Sequence, residues 1–186
     1  MTTTDSPKKK GSVPRWLAIP TAKPQLNTAE VASKYPRLRF QVFMGIFIGY
    51  ATFYLIRNNV PLVTPILTHE LGFSNAAIGA LSTALLLAYG FSKFFTAMIS
   101  DRSNARLFLP IGLVLSGIAN VLLAIAGYMG SGAAAAGYGA AIASTMAAIM
   151  VFNGIFQGMG WPPSGRVLVN WFSTSERGSK VSLWNT

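Results

Sequence analysis

Four long apolar stretches occupy most of the chain, and short polar or glycine-rich connections separate them. The stretches cover Phe40–Leu67, Ala76–Ser100, Leu107–Tyr128 and a region from about Tyr138 to Phe172. A helix needs about 20 predominantly apolar residues to cross the ~30 Å hydrocarbon core of a bilayer, and each stretch is long enough. The pattern predicts an all-α polytopic membrane protein with four full transmembrane helices, and Val181–Thr186 predicts the start of a fifth.

The connections predict where these helices end. Ser74 is placed to cap the N-terminus of the second helix. Asp101–Arg106 predicts a tight charged loop, and Ser173–Lys180 predicts a second one. Prolines and small polar residues are expected to interrupt the first and fourth helices, as in transporters that line cavities with broken helices. These residues are Asn58, Asn59, Pro61, Pro65, Gly158, Gly160, Pro162 and Pro163. Close helix packing is expected at Gly45, Gly49, Gly79, Gly90, Gly112 and Gly117.

Residues 1–39 differ from the rest of the chain, because basic residues and prolines alternate there with Thr and Ser. Such a composition predicts a mostly disordered tail, and its positive charge favours contact with anionic lipid headgroups. We therefore divide the sequence into a tail, 1–39, and a truncated transmembrane helix bundle, 40–186.

Composition and charge agree with a membrane protein. Hydrophobic residues make up 52% of the chain and charged residues 11%, with a mean hydropathy of +0.45. The net charge of +10 does not indicate nucleic-acid binding, because Lys and Arg concentrate in the tail and in the connections after the second and fourth stretches. The other connections lack them, so the positive-inside rule places the N-terminus in the cytoplasm.

Two cations lie within the apolar stretches, where a charge is costly and often functional. Arg57 shares one helix face with Tyr50 and Tyr54, and Lys93 shares another with Tyr89. If the two faces meet, they form a positive cavity that suits a phosphate dianion. The alternatives are that the cations extend toward the membrane surface and that the tyrosines serve packing.

Catalytic and metal-binding motifs are missing from the sequence. It has no phosphate-binding loop of the Walker type, no zinc-protease motif and no nucleophile elbow. The single His69 has no cysteine or histidine near it in the sequence. We expect no enzyme activity, no cofactor and no metal.

Several sequence segments resemble the organophosphate:phosphate antiporter family of the major facilitator superfamily, most of all its glycerol-3-phosphate transporters. They occur in the expected order and are Arg37–Arg39, Gly49–Arg57, Tyr89–Phe94, Asp101–Pro110, Phe156–Arg166 and Glu176–Asn185. The resemblance implies that the chain is the N-terminal part of a major facilitator fold.

The family assigns roles to matching residues. By resemblance, Arg57 contacts the substrate phosphate, Lys93 lies at the same cavity, and Tyr50, Tyr54, Tyr89 and Trp161 line it. Asp101, Arg102 and Arg106 form a cytoplasmic latch or only a topological anchor. Asn58 is a departure, because the glycerol-3-phosphate transporters carry a lysine there.

The implied function is exchange of an organophosphate, with glycerol 3-phosphate expected, for inorganic phosphate in a bacterial inner membrane by alternating access. Transport by this mechanism requires the C-terminal half of the family fold, which lies beyond these residues, so we expect a fragment or the product of a truncated gene. Two other interpretations remain open: a membrane sensor of sugar phosphates and a non-functional remnant.

Overall fold

The computed structural model describes residues 13–21, 26–133 and 139–184, and these residues form seven helices. The helices are α1 (Thr28–Arg57), α2 (Asn59–His69), α3 (Asn75–Arg102), α4 (Ala105–Ala133), α5 (Gly139–Gln157), α6 (Trp161–Trp171) and α7 (Thr174–Trp184).

Four helical segments among the described residues are long and apolar enough to cross a membrane, as the sequence predicts. They are Thr28–His69, Asn75–Arg102, Ala105–Gly130 and Gly139–Trp171. The first therefore combines α1 with α2, and the fourth combines α5 with α6. The predicted start of the fourth helix at Tyr138 lies outside the described residues.

The first helix begins well before the predicted position. α1 starts at Thr28, after Asn27, which forms a capping box with Glu30, so residues 28–39 are helical rather than disordered. Pro36 lies inside α1. Of the predicted tail, residues 1–12 and 22–25 lie outside the described part of the chain.

The interruption predicted in the first helix lies at Asn58. This residue, with φ −87° and ψ 26°, leaves helical geometry between α1 and α2. Pro65 lies inside α2 and does not end it. The turn after α2 contains Gly72, whose φ of +64° favours glycine. The predicted cap is confirmed, since the Ser74 hydroxyl accepts a hydrogen bond from the Ala77 amide at 3.2 Å.

The charged loop predicted at Asp101–Arg106 is shorter than expected. α3 continues through Arg102 and α4 begins at Ala105, so only Ser103 and Asn104 connect them. A segment of the N-terminal region packs against this junction: the Asn104 amide donates to the Leu17 carbonyl at 2.8 Å. Arg166 of α6 donates to the carbonyls of Ser100 and Ser103 and so stabilises the end of α3.

The interruption in the fourth span precedes the two prolines. α5 ends at Gln157, and α6 begins at Trp161 with Pro162 and Pro163 in its first turn, where a missing amide hydrogen costs little. The second loop, predicted at 173–180, is also mostly helical, because α7 begins at Thr174.

The tightest packing joins α3 and α5. A β-carbon at Gly154 would overlap the Leu85 carbonyl and lie 2.9 Å from the Tyr89 amide nitrogen. Thr96 donates to the Gly158 carbonyl at 2.9 Å across the same interface. Close approach therefore depends on Gly154 and Gly158.

Close packing was predicted at six other glycines, and it occurs at two of them. A β-carbon at Gly49 would lie 2.9 Å from Leu109, and one at Gly112 would lie 2.6 Å from Met159. At the remaining four, nothing among the described residues lies within 4 Å of the added carbon. These four are Gly45, Gly79, Gly90 and Gly117.

Aromatic and ionic contacts join the start of α1 to the region where α6 meets α7. The Tyr35 and Trp171 rings stack at 6.0 Å, and the Tyr35 hydroxyl donates to the Trp171 carbonyl at 2.7 Å. Arg39 pairs with Glu176 at 2.7 Å and lies 4.6 Å from the centroid of Phe172. These contacts fix one end of the helix whose other end is Arg57.

Two apolar clusters form the interior of the bundle. One includes Val60, Leu85, Leu123 and Met150, and the other includes Phe53, Leu109 and Leu168. Polar residues lie between the two clusters along the helices. On α4, for example, Ser116 lies between Leu109 of one cluster and Leu123 of the other.

Candidate functional site

Arg57 is the last residue of α1, immediately before the interruption at Asn58. Its Nε donates to Oε1 of Gln157 on α5 at 3.2 Å. Its guanidinium carbon lies 4.8 Å from the ring centroid of Tyr54 and 4.0 Å from that of Tyr89. Contacts from three helices, α1 itself, α3 and α5, therefore determine the position of this cation. A side chain that extends freely toward the membrane surface would lack such contacts.

Lys93 contacts the same tyrosine ring as Arg57. The Lys93 ammonium nitrogen is 4.0 Å from the centroid of the Tyr89 ring, which also contacts Arg57. The condition set in the sequence analysis is thus met at this point, because Arg57 of α1 contacts Tyr89, which shares a face of α3 with Lys93. An electron-rich ring offsets part of the repulsion between two nearby cations.

The two tyrosines of α1 differ in their surroundings. Tyr54 contacts Arg57 and is partly exposed, whereas Tyr50 is only 4% exposed. Their rings meet edge to face at 5.3 Å, and the Tyr50 ring lies 4.6 Å from that of Trp184. Tyr50 therefore supports Tyr54 from within the apolar cluster.

Among the described residues, the aromatic rings that contact Arg57 and Lys93 are those of Tyr54 and Tyr89, and Trp161 is not one of them. It is the first residue of α6, its side chain is 47% exposed, and its ring lies near Gly165. Its role in lining the cavity stays a prediction.

The residues predicted to form a latch lie at the junction of α3 and α4. Asp101 and Arg102 are exposed in the last turn of α3, and the Arg106 amide donates to the Asn104 side chain at 3.1 Å. The ion pairs among the described residues, Lys34 with Glu30 and Arg39 with Glu176, do not include them. The latch also stays a prediction.

Three buried polar residues near Arg57 were not assigned a role from the sequence. Gln157 and Ser116 are fully buried, and Asn153 is 1% exposed. Gln157 Nε2 donates to Ser116 Oγ at 2.7 Å, and the Ser116 hydroxyl donates to Asn153 Oδ1 at 2.5 Å. The available signal was their i, i+4 spacing: Asn153 and Gln157 on one apolar helix, Ser116 and Asn120 on another.

The guanidinium has a buried donor group that is left without an acceptor. In the part of the chain that the structure describes, Nη2 of Arg57 is buried and has no hydrogen-bond partner. Neither Arg57 nor Lys93 forms an ion pair with a described carboxylate. A buried cation without a carboxylate is costly, and an anion placed against Nη2 and Lys93 would neutralise the site and supply the missing acceptor.

The described residues do not favour a metal at this site. No group of three or more His, Asp or Glu residues lies close enough among them to hold a metal ion. The neighbours of the cations are amide and phenol groups, which can donate hydrogen bonds to an anion. The geometry therefore favours reversible anion binding.

Comparison with known proteins agrees with this chemistry. The sequence pattern of the Major Facilitator Superfamily matches residues 46–186. The chain is 47% identical over 161 residues to the glycerol-3-phosphate transporter of Bacillus subtilis, covering 87% of this chain and 34% of that protein. It is 47% identical over 162 residues to the glycerol-3-phosphate transporter of Haemophilus influenzae, covering 87% and 32%.

A relative of a different kind is the membrane sensor protein UhpC of Escherichia coli. It is 36% identical over 172 residues, covering 92% of this chain and 36% of the sensor. The chain thus spans about a third of the length of the curated relatives it matches.

Proposed function

The chain belongs to the Major Facilitator Superfamily and is part of an integral membrane protein, and we propose that it forms the N-terminal part of an antiporter that exchanges an organophosphate for inorganic phosphate. Glycerol 3-phosphate is the proposed organophosphate, since the two transporters compared above are named for it. A longer polypeptide would supply the rest of the cavity.

The observation that carries this proposal is the buried Nη2 of Arg57, which has no hydrogen-bond partner among the described residues, together with the contact of Arg57 and Lys93 with the same Tyr89 ring. Hydrogen bonds between charged donors and phosphate oxygens are roughly twice as strong as neutral ones. Arg57 offers a planar donor group and Lys93 a compact charge, which together suit the tetrahedral oxygens shared by inorganic phosphate and phosphate monoesters.

Phosphate exchange requires the bound phosphate to stabilise the state in which the N-terminal and C-terminal halves of the complete protein approach each other. A ligand shifts such an equilibrium only by its differential affinity for the two states. Phosphate contacting both halves would have that property, and sites at the interface of the halves are the rule in transporters of this architecture. Arg57 is placed for this role at a helix interruption.

The proposed setting is the bacterial inner membrane with the N-terminus in the cytoplasm. The excess of Lys and Arg in the N-terminal region and after the second and fourth spans supports that orientation. The α3–α4 junction then lies on the cytoplasmic side, where Asp101, Arg102 and Arg106 are proposed to form the latch. Basic residues of the N-terminal region would contact anionic lipids there.

Replacing Arg57 by Lys tests the function. The variant keeps a positive charge but loses the planar donor group and the hydrogen bond to Gln157. We expect phosphate exchange to fall by about tenfold or more, the effect of losing a charged hydrogen bond. The measurement is uptake of radiolabelled phosphate into phosphate-loaded proteoliposomes that contain the protein made from its complete gene.

Arg37→Lys is the matched control, because Arg37 is an exposed residue of the same helix. It is expected to exchange phosphate at the wild-type rate. Near-normal exchange by Arg57→Lys, measured beside an active wild type, would exclude the proposed role of Arg57.

The similarity to UhpC favours a second candidate, a membrane sensor that binds a sugar phosphate. The same cationic site would then bind its ligand without carrying flux. A wild-type protein that binds phosphate, yet shows no exchange in the proteoliposomes, would favour the sensor.

A further inference from the structure

A continuous row of buried hydrogen bonds leads from Arg57 into the centre of the bundle. It passes from α1 to Gln157 on α5, then to Ser116 on α4, and ends at Asn153 on α5. Polar side chains of this kind within apolar spans are costly unless they are satisfied by one another. Each of the three has at least one partner in the row.

The chemistry of arginine fixes the direction of the first two bonds in the row. Arg57 can only donate, so the Gln157 side-chain atom facing it must be the oxygen, and the Gln157 amide nitrogen then donates to Ser116 Oγ. Oδ1 is the Asn153 atom that faces Ser116, so the Ser116 hydroxyl donates the third bond. All donors therefore point away from Arg57, and bonds aligned in this way polarise and strengthen one another.

A second row joins the other side of the helix interruption to the same turn of α4. Asn59, the first residue of α2, donates to Asn120 Oδ1 at 3.2 Å, and Asn120 donates to the Ser116 carbonyl at 2.9 Å. The residues before and after Asn58 are thus both bound, through separate rows, to the backbone or side chain of Ser116. Ser116 therefore links both sides of the interruption to α4.

We propose that Ser116 and Asn153 are positioning residues that, acting through Gln157, hold the Arg57 guanidinium so that Nη2 remains free for a phosphate oxygen. Neither residue needs to touch the anion. An arginine side chain has several rotatable bonds, and restraining it before the ligand arrives lowers the entropy lost on binding. The inference rests on the proposed function only for the identity of the anion.

The test uses Ser116→Ala in the protein made from its complete gene, with two measurements. The first is the rate at which phenylglyoxal, an arginine-specific reagent, modifies the peptide that contains Arg57, followed by mass spectrometry. The second is the dissociation constant of inorganic phosphate. We expect Ser116→Ala to raise both by about five- to tenfold, since it breaks the row and leaves Gln157 and Asn153 without their partner.

Ser144→Ala is the matched control, because Ser144 is an exposed serine of α5 whose hydroxyl donates to the Ala140 carbonyl of its own helix. It is expected to leave both measurements at wild-type values. If removing a hydroxyl group merely loosened the bundle, phenylglyoxal would modify other arginine-containing peptides faster as well, and not only the peptide that contains Arg57.

Gln157→Glu separates restraint from anion binding. A carboxylate still accepts the Arg57 hydrogen bond and can also accept one from the Ser116 hydroxyl, in place of the bond that the Gln157 amide donates, so modification of Arg57 should stay as slow as in the wild type. Its negative charge competes with phosphate, so phosphate affinity should fall by about tenfold or more. Rapid modification of Arg57 in Gln157→Glu would overturn the role of Gln157 as the restraining acceptor.

The outcomes separate the inference from the proposed function. Unchanged Arg57 modification in Ser116→Ala overturns the positioning role, even if the wild type exchanges phosphate. Faster modification with unchanged phosphate affinity overturns the link between this restraint and anion binding. If the wild type binds no phosphate but Ser116→Ala is modified faster, the positioning role stands and the proposed substrate class is wrong.

Discussion

Tyr89 is the residue that brings the two intramembrane cations into one site. Its ring lies 4.0 Å from the guanidinium carbon of Arg57 and 4.0 Å from the ammonium nitrogen of Lys93. Two cations that contact one ring repel each other more strongly in a medium of low dielectric constant than in water. The ring face attracts both and so keeps the site assembled while no anion is bound.

Replacing Tyr89 by Leu should therefore weaken phosphate binding. The loss of two cation–π contacts is expected to raise the half-saturating phosphate concentration for exchange by about fivefold or more. Tyr89→Phe keeps the ring and should remain close to the wild type. If the Phe variant is as defective as the Leu variant, the phenol hydroxyl rather than the ring is the important group.

Spacing along single helices was sufficient to predict the cations and their aromatic neighbours. Residues four apart share a helix face, so Lys93 was correctly grouped with Tyr89. The role of Gln157 could not be predicted in this way, because it depends on which face of α5 meets α1 and α4. The face is selected by contacts of glycine and serine residues between helices that are distant in sequence. The spacing of residues along one helix carries no information about such contacts.

At the scale of helices, the interface of α3 with α5 sets the distance between Tyr89 and Gln157. Gly154 lies against the backbone of α3 at Leu85 and Tyr89, where no flexible side chain could move aside. Ser92 and Thr96 donate to the carbonyls of Gly154 and Gly158 across the same interface. Small residues that permit such backbone contact are typical of helix pairs in membranes.

Gly154→Ala should separate α3 from α5 and lower stability. Overpacking of a close interface costs about 1–3 kcal/mol, so thermal unfolding in detergent should occur at a clearly lower temperature than in the wild type. Gly79→Ala on α3 is the control, because the added carbon meets nothing among the described residues. Equal unfolding temperatures for the two variants would contradict the assigned contact.

Hydropathy predicted the four spans but not where the helices end. Polar residues can continue a helix when other elements satisfy its terminal carbonyls, as Arg166 does for α3. Aromatic stacking of Tyr35 on Trp171 likewise supports helix before residue 40. These partners are distant in sequence, which explains why the tail and both loops were predicted too long.

At the scale of the whole molecule, we propose that the described bundle provides one wall of a binding site. Arg57 and Lys93 lie where α1 meets α3 and α5, and many large apolar side chains on these helices are exposed. The hydrocarbon part of a lipid can cover apolar side chains, but it offers no polar group for phosphate. Because the chain spans about a third of its relatives, we propose that further residues of a longer protein form the opposite wall.

Residues 1–186 reconstituted alone are accordingly expected to exchange no phosphate, whereas the protein made from the complete gene exchanges it. The physical reason is that alternating access requires a ligand that stabilises two halves against each other, and one wall has no partner to approach. The measurement is radiolabelled phosphate uptake at equal protein density in matched proteoliposomes. Arg57→Lys in both forms shows whether any uptake depends on the site. Uptake by residues 1–186 that Arg57→Lys abolishes would mean that the bundle, alone or as an oligomer, completes the cavity by itself.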